Sequence, residues 1–294
     1  MKRKPGSPRL RLALFGLLVV VLYQLFRDPV GLLDIGRNLA LFVVIITVVV
    51  GVHEFCHLLA ARALGVDVVA YALGFGHELI GRTRFGIRWS INALWLGGYV
   101  KLVGEDGDEG PRSFTLAPAW KKFAILVVGP LSNLALAVAI LLAVAMIRHG
   151  MSFERALGAA NTILGMLIGG TVDAITGFFP VAASKPLDMP IVGIPSLVAS
   201  SGAMLRFNDG GDMLFVLAAA ISFSMGIVNL LPIPPLDGGQ AAVALLKGTL
   251  GRHYPARLMQ AVAIAGLGLV IGFMVLVNGI DAIRTVIGYN PFGL

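Results

Sequence analysis

The sequence predicts an α-helical polytopic membrane protein with about five transmembrane helices, a membrane-associated β-hairpin on the cytoplasmic side and an amphipathic helix on the outer face. Three observations predict it. Of 294 residues, 57% are hydrophobic and only 13% charged, whereas soluble domains run nearer half apolar and a quarter charged. Several apolar stretches approach or reach the roughly 20 residues that cross a hydrocarbon core of about 30 Å. Lys and Arg gather at the N-terminus and in short loops between those stretches, as the positive-inside rule requires. The net charge of +7 is therefore read as topology-setting charge facing anionic lipid, with no nucleic-acid partner. A single cysteine, Cys56, excludes an internal disulfide framework.

The first apolar stretch covers residues 10–26, behind Lys2, Arg3, Lys4, Arg9 and Arg11. Arg27-Asp28-Pro29 follows it instead of a small-x-small cleavage site, which favours an uncleaved signal anchor over a cleaved signal peptide. The second begins near Asn38 and runs through His53. The third covers residues 123–147, the fourth 213–231 and the fifth 258–277. With the N-terminus inside, Arg82, Arg84, Arg88, Lys101, Lys121, Lys122, Lys247, Arg252 and Arg257 all fall on the cytoplasmic side.

Two connecting segments carry patterns of their own. Phe85, Ile87, Trp89 and Ile91 alternate with Arg84, Gly86, Arg88, Ser90 and Asn92, which is the period of a strand. Leu96-Gly97-Gly98-Tyr99 then reads as a turn or kink into a second strand, giving a hairpin over residues 85–102. Between residues 153 and 179, Phe153, Leu157, Ala160, Leu164, Leu167, Ile168, Val172, Ile175 and Phe179 recur at helical spacing. Glu154, Arg155, Asn161 and Asp173 interrupt that run, so an amphipathic helix on the outer face is expected and a sixth span is the alternative.

The second span contains His53-Glu54-Phe55-Cys56-His57. Residues four apart share one face of a helix, about 6 Å apart along the axis, so two imidazoles can take adjacent corners of a tetrahedral metal. The Glu beside the first His can then act as general base on a metal-bound water. Ionisable groups inside an apolar span are costly, which turns a moderately specific motif into a strong one. From Asn38, His53 lies about 22 Å into the helix, within the hydrocarbon layer toward its cytoplasmic side.

A catalytic metal needs a third protein ligand and an open position. Asp237 is the candidate, in Asn229-Leu230-Leu231-Pro232-Ile233-Pro234-Pro235-Leu236-Asp237-Gly238-Gly239. The prolines abolish regular helix at membrane depth, which is tolerable only beside protein or water. The third span offers Gly129-Pro130-Leu131-Ser132-Asn133, where Gly129 permits close helix approach. By position alone Asn133 is equally a structural polar group and a substrate contact. His77-Glu78 imitates the start of a second motif, but Gly81 stands where the second His would be. His149 and His253 sit at span ends, where a satisfied or exposed histidine is the default. Cys56, three residues from His53, is expected to be a small buried thiol, with contact to the metal as the alternative.

These residues carry a resemblance. His53-Glu54-x-x-His57, Gly97-Gly98-Tyr99-Val100-Lys101, Gly129-Pro130-Leu131-Ser132-Asn133 and Asn229-x-x-Pro232-x-Pro234-x-Leu236-Asp237-Gly238 resemble the site-2 protease family of intramembrane zinc metalloproteases. The similarity is greatest to its bacterial branch, which cleaves anti-sigma factors and signal-peptide remnants. Pro190-Ile191-Val192-Gly193-Ile194 is a weaker fifth match. The resemblance implies Zn2+ held by His53, His57 and Asp237, Glu54 as base, and Asn229, Asn133 and Gly98 at the substrate. It implies that the hairpin pairs with an unwound substrate by strand addition. The expected partners are single-span membrane proteins and the lipid bilayer, and the expected location is the inner membrane, with the site toward the cytoplasm.

Three departures accompany the resemblance, one being that the first span is an addition to the core carrying the motifs. Roughly 65 residues separate the third and fourth spans, too few for the PDZ domain that many members carry there with its linkers. Gln240 stands where the family often has His. The expected organisation is an anchor helix and outer loop (1–37), a first catalytic part (38–150), an outer-face segment (151–211) and a second catalytic part (212–294). A divalent-metal transporter and a non-cleaving client-binding protein are the alternative functions, and a site of two His and one Asp also accepts other divalent metals.

Overall fold

The computed structural model describes residues 29–104, 110–184, 211–251 and 256–287. Its elements are α1 (Pro29–Ala63), β1 (Val68–Arg84), β2 (Ile87–Leu102) and α2 (Ala119–Ala143), which a π-helical turn extends over Val144–Arg148. Then come α3 (Phe153–Ser184), α4 (Asp212–Leu230), α5 (Asp237–Leu250) and α6 (Ala256–Ile287). Among the described residues four helices are long and apolar enough to cross a membrane: Gly36–Ala63, Ala119–Arg148, Asp212–Leu230 and Gln260–Asp281. They answer to the second through fifth expected spans. The expected first span, the Pro190–Ile194 motif and His253 lie outside the described residues.

The helix carrying the His-Glu-x-x-His motif is longer than its apolar stretch suggests. It covers Pro29–Ala63, 35 residues, and its membrane-span part begins at Gly36, close to the start expected near Asn38. Proline suits a first helical turn, where its missing N–H has no intrahelical partner. At the other end Gly65 adopts a φ of 78°, and Val66 donates back to the Ala61 carbonyl at 2.8 Å. That left-handed residue stops the helix and turns the chain directly into β1.

The hairpin differs from its expected layout. Its turn is Phe85-Gly86, both with positive φ (53° and 76°), a two-residue connection whose twist matches antiparallel strands. The two strands expected after residue 84 are therefore both parts of β2, and the partner strand lies upstream in β1. Alternation around residues 84–92 hid the turn because Phe is an unusual residue at positive φ. In register, Ala70–Leu73 pair with the 98–101 segment of β2 and also with the 88–91 segment. The sheet is bent and irregular at Gly74 and Gly76.

Three buried clusters hold the described elements. Leu58, Ala61, Val66, Val68, Tyr71, Ile87, Leu102 and Ile125 seat the hairpin on the ends of α1 and α2. Ala137, Leu141, Ala160, Ala219 and Phe223 join α2, α3 and α4. Ile45, Val49 and Leu217 join α1 to α4. The helix expected over residues 153–179 is present and continues to Ser184. Its apolar face, including Ile163, Leu164 and Leu167, packs on α2 and α4. Where α2 ends, Arg148 and His149 both pair with Asp212 at the start of α4, the His149 contact at 2.9 Å.

Candidate metal and catalytic site

The site is assembled from three helices and one strand. α1 brings His53 and His57 to one face, one helical turn apart, and buries both, at 3% and 8% exposure. The rings meet edge to face, with centroids 4.7 Å apart.

Asp237 arrives from the opposite side by a break in the chain. α4 stops at Leu230 and Leu231 turns extended (φ −60°, ψ 138°), as a residue before proline prefers. Leu236 is extended again, and Asp237 opens α5, where a carboxylate complements the positive end of the helix dipole. A methyl group on Gly238 would strike the Leu230 and Leu231 carbonyls, and one on Gly239 the Ile233–Pro234 backbone. The paired glycines thus let α5 start directly against the proline segment. The Gln240 side chain donates to the Pro235 carbonyl at 2.9 Å, satisfying an acceptor that no helix uses.

These paths bring three ligand atoms together. His53 Nε2 lies 2.9 Å and His57 Nε2 3.4 Å from Asp237 Oδ2, and the two imidazole nitrogens are 3.1 Å apart. Two atoms each about 2.1 Å from a tetrahedral zinc lie about 3.4 Å from one another, so this triangle is a slightly contracted ligand set. It is the one such group among the described residues.

Hydrogen bonding explains why the triangle suits a cation. His57 Nδ1 lies 2.7 Å from the Ile125 carbonyl, which can only accept, so Nδ1 carries the proton and Nε2 presents its lone pair. That lone pair faces a carboxylate oxygen. Acceptors converging on one point are favourable around a positive ion, and three protein ligands leave a fourth position open.

α2 supports the imidazoles with a stripe at four-residue spacing. Ile125 receives His57. Gly129 makes room for it, since a methyl group there would overlap His57 Nε2. Asn133 follows, fully buried, with Nδ2 3.2 Å from His53 Nδ1. Pro130, next to Gly129, withholds the N–H that would bond to the Leu126 carbonyl.

Glu54, between the two histidines in sequence, packs against β2 at Gly98 and lies close enough to His53, His57 and Asp237 to interact with their charges. The Val100 backbone amide lies against its carboxylate, and a methyl on Gly98 would sit 3.3 Å from its Cγ and 2.8 Å from the Ala72 carbonyl. Tyr71 ties the hairpin to α1 by donating to the Gly51 carbonyl at 2.9 Å. Asn229 is half-buried in the last turn of α4, with no side-chain hydrogen bond among the described residues. Cys56 is half-buried, with a free thiol, and stands outside the ligand group.

The structure thus gathers His53, His57 and Asp237, sets Glu54 beside Gly98, and places Asn133 against an imidazole. Sequence reasoning missed the Ile125 carbonyl, the Val100 amide and the Tyr71 bond, because main-chain partners leave no residue signature. It read Gly129 as room for a helix, and the room is for an imidazole. The four-residue spacing of Ile125, Gly129 and Asn133 was the available signal.

Comparison with known proteins agrees with this geometry. The family model described as peptidase family M50 matches residues 41–273. A metalloprotease of Caulobacter vibrioides, MmpA, is 24% identical over 78% of this chain and 91% of its own length. A protein of Mesorhizobium japonicum named as a zinc metalloprotease is 27% identical over 79% of this chain and 95% of its own. A similarly named Brucella suis protein is 39% identical over 34% of this chain, and the match spans 30% of that relative. The family match runs through the motif helix, the hairpin, the proline break and most of α6, and on that ground the chain belongs to peptidase family M50, the site-2 protease family of zinc metalloproteases.

Proposed function

We propose that this protein hydrolyses peptide bonds in or near the transmembrane segments of single-span membrane proteins, anti-sigma factors or signal-peptide remnants among them. His53, His57 and Asp237 hold zinc, and Glu54 is the general base. One observation carries this reading: two buried imidazoles on α1 and a carboxylate 184 residues away converge within bonding reach of a single point.

When bound, zinc supplies Lewis acidity, polarising a carbonyl and making water acidic enough to attack it near neutral pH. Glu54 takes a proton from the attacking water and passes one to the departing amine. The strand edge that presents the Val100 amide to Glu54 receives the backbone of a locally unwound substrate, whose freed groups need partners in a lipid setting. Gly98 keeps that edge close to Glu54. Asn229, half-buried at the end of α4, is the polar group offered to the substrate.

The protein sits in the inner membrane with its site toward the cytoplasm. His53 lies ten residues before the end of α1 at Ala63, or about 15 Å from the end carrying the basic hairpin. The test is cleavage of a single-span peptide by purified protein in detergent, with and without a chelator. Wild type should cleave only with metal, and Glu54→Gln should keep its zinc while losing activity about 10²–10⁴-fold. Substantial cleavage by Glu54→Gln would refute the base. Zinc flux into proteoliposomes without cleavage would instead mark a transporter, and client binding without cleavage a non-catalytic protein.

A further inference from the structure

The environment of Asn133 assigns it a task other than substrate contact. It is 0% exposed and its backbone carbonyl accepts a hydrogen bond from Ser222 Oγ at 2.8 Å, itself a fully buried side chain on α4. No part of Asn133 is open to an incoming strand in this structure. Its nearest polar neighbour is His53 Nδ1, at 3.2 Å. Its Oδ1 is buried with no partner.

The tautomer of His53 decides how that amide must point. Nε2 of His53 faces Asp237 Oδ2 and His57 Nε2 at 2.9 and 3.1 Å, so it is the nitrogen given to a metal. A neutral imidazole that offers Nε2 carries its proton on Nδ1. That proton needs an acceptor, and the group opposite is the Asn133 amide. Exchanging Oδ1 and Nδ2 by a half-turn about the last side-chain bond brings the unpaired oxygen to Nδ1, and the two atoms are alike enough in size that the site accommodates either. One amide atom lacks a partner in both orientations, so the turn adds no orphan.

We infer that Asn133 is a positioning residue for the metal: its amide oxygen accepts the Nδ1 proton of His53 and fixes the tautomer and ring plane that present Nε2. The Ile125 carbonyl does the same for His57, so one face of α2 orients both imidazoles. Partners of this kind typically govern metal affinity by 10–100-fold.

This inference rests on the zinc-site reading above, and the experiment separates the two. Zinc affinity is measured by chelator competition on the purified full-length protein, alongside KM for a single-span peptide. Asn133→Leu, similar in size and unable to accept, should lose 10–100-fold in zinc affinity. Asn133→Asp, isosteric and a stronger acceptor, should match or exceed wild type, and it carries the test if the Leu variant fails to fold. A tenfold loss in Asn133→Asp, or wild-type affinity in a folded Asn133→Leu, overturns the inference. Raised KM with unchanged zinc affinity in both variants would return Asn133 to the substrate. A wild-type protein that binds no zinc sinks the metal reading itself, and the inference with it.

Discussion

The imidazole half of the site and the carboxylate half are held in different ways. His53 and His57 sit on an unbroken helix, buried, each with Nδ1 engaged by a neighbouring group on α2. Asp237 sits where helix fails, its side chain 19% exposed, placed by three prolines and two glycines that shape the backbone. Side-chain hydrogen bonds orient the first half and main-chain packing aims the second. The two halves should therefore break differently.

The largest effects come from removing ligands. Asp237→Ala and His57→Ala should each leave purified protein with little zinc and reduce cleavage at least 10³-fold, checked by metal analysis beside a peptide assay. Next come the glycines. Gly239→Ala pushes the start of α5 off the proline segment, and Gly129→Ala drives into His57. Overpacking of this kind costs about 1–3 kcal/mol, so each should lower both thermal stability and zinc affinity, the latter by tenfold or more. Wild-type zinc affinity in Gly239→Ala would show that backbone packing does not aim the carboxylate.

Smaller effects sharpen the contrast. Tyr71→Phe removes the bond to Gly51 and should cost about 0.5–1.5 kcal/mol in stability. It should lower kcat/KM several-fold with zinc content intact, because the hairpin faces Glu54 and carries no ligand. Gln240→Ala exposes the Pro235 carbonyl to a partly wet surface, and its zinc affinity should shift by less than about fivefold.

How much was legible follows the same division. The later spans and the paired histidines are readable because helical periodicity and membrane hydropathy constrain residue type at fixed spacing. Asp237 was readable because a proline cluster at membrane depth is expensive and asks for a reason. The hairpin register was not, since Phe85 occupies a turn position that normally takes Asn, Asp or Gly. Asn133 was visible as polar but not as a partner of His53, since a contact across 80 residues leaves no local pattern.

The most direct test of the site is zinc K-edge X-ray absorption of the purified protein. Two imidazole nitrogens and one carboxylate oxygen, all near 2.0–2.2 Å, are predicted, with a further light-atom ligand in the open position. A sulfur shell near 2.3 Å, which would place Cys56 on the metal, or a single imidazole in the shell, would contradict it.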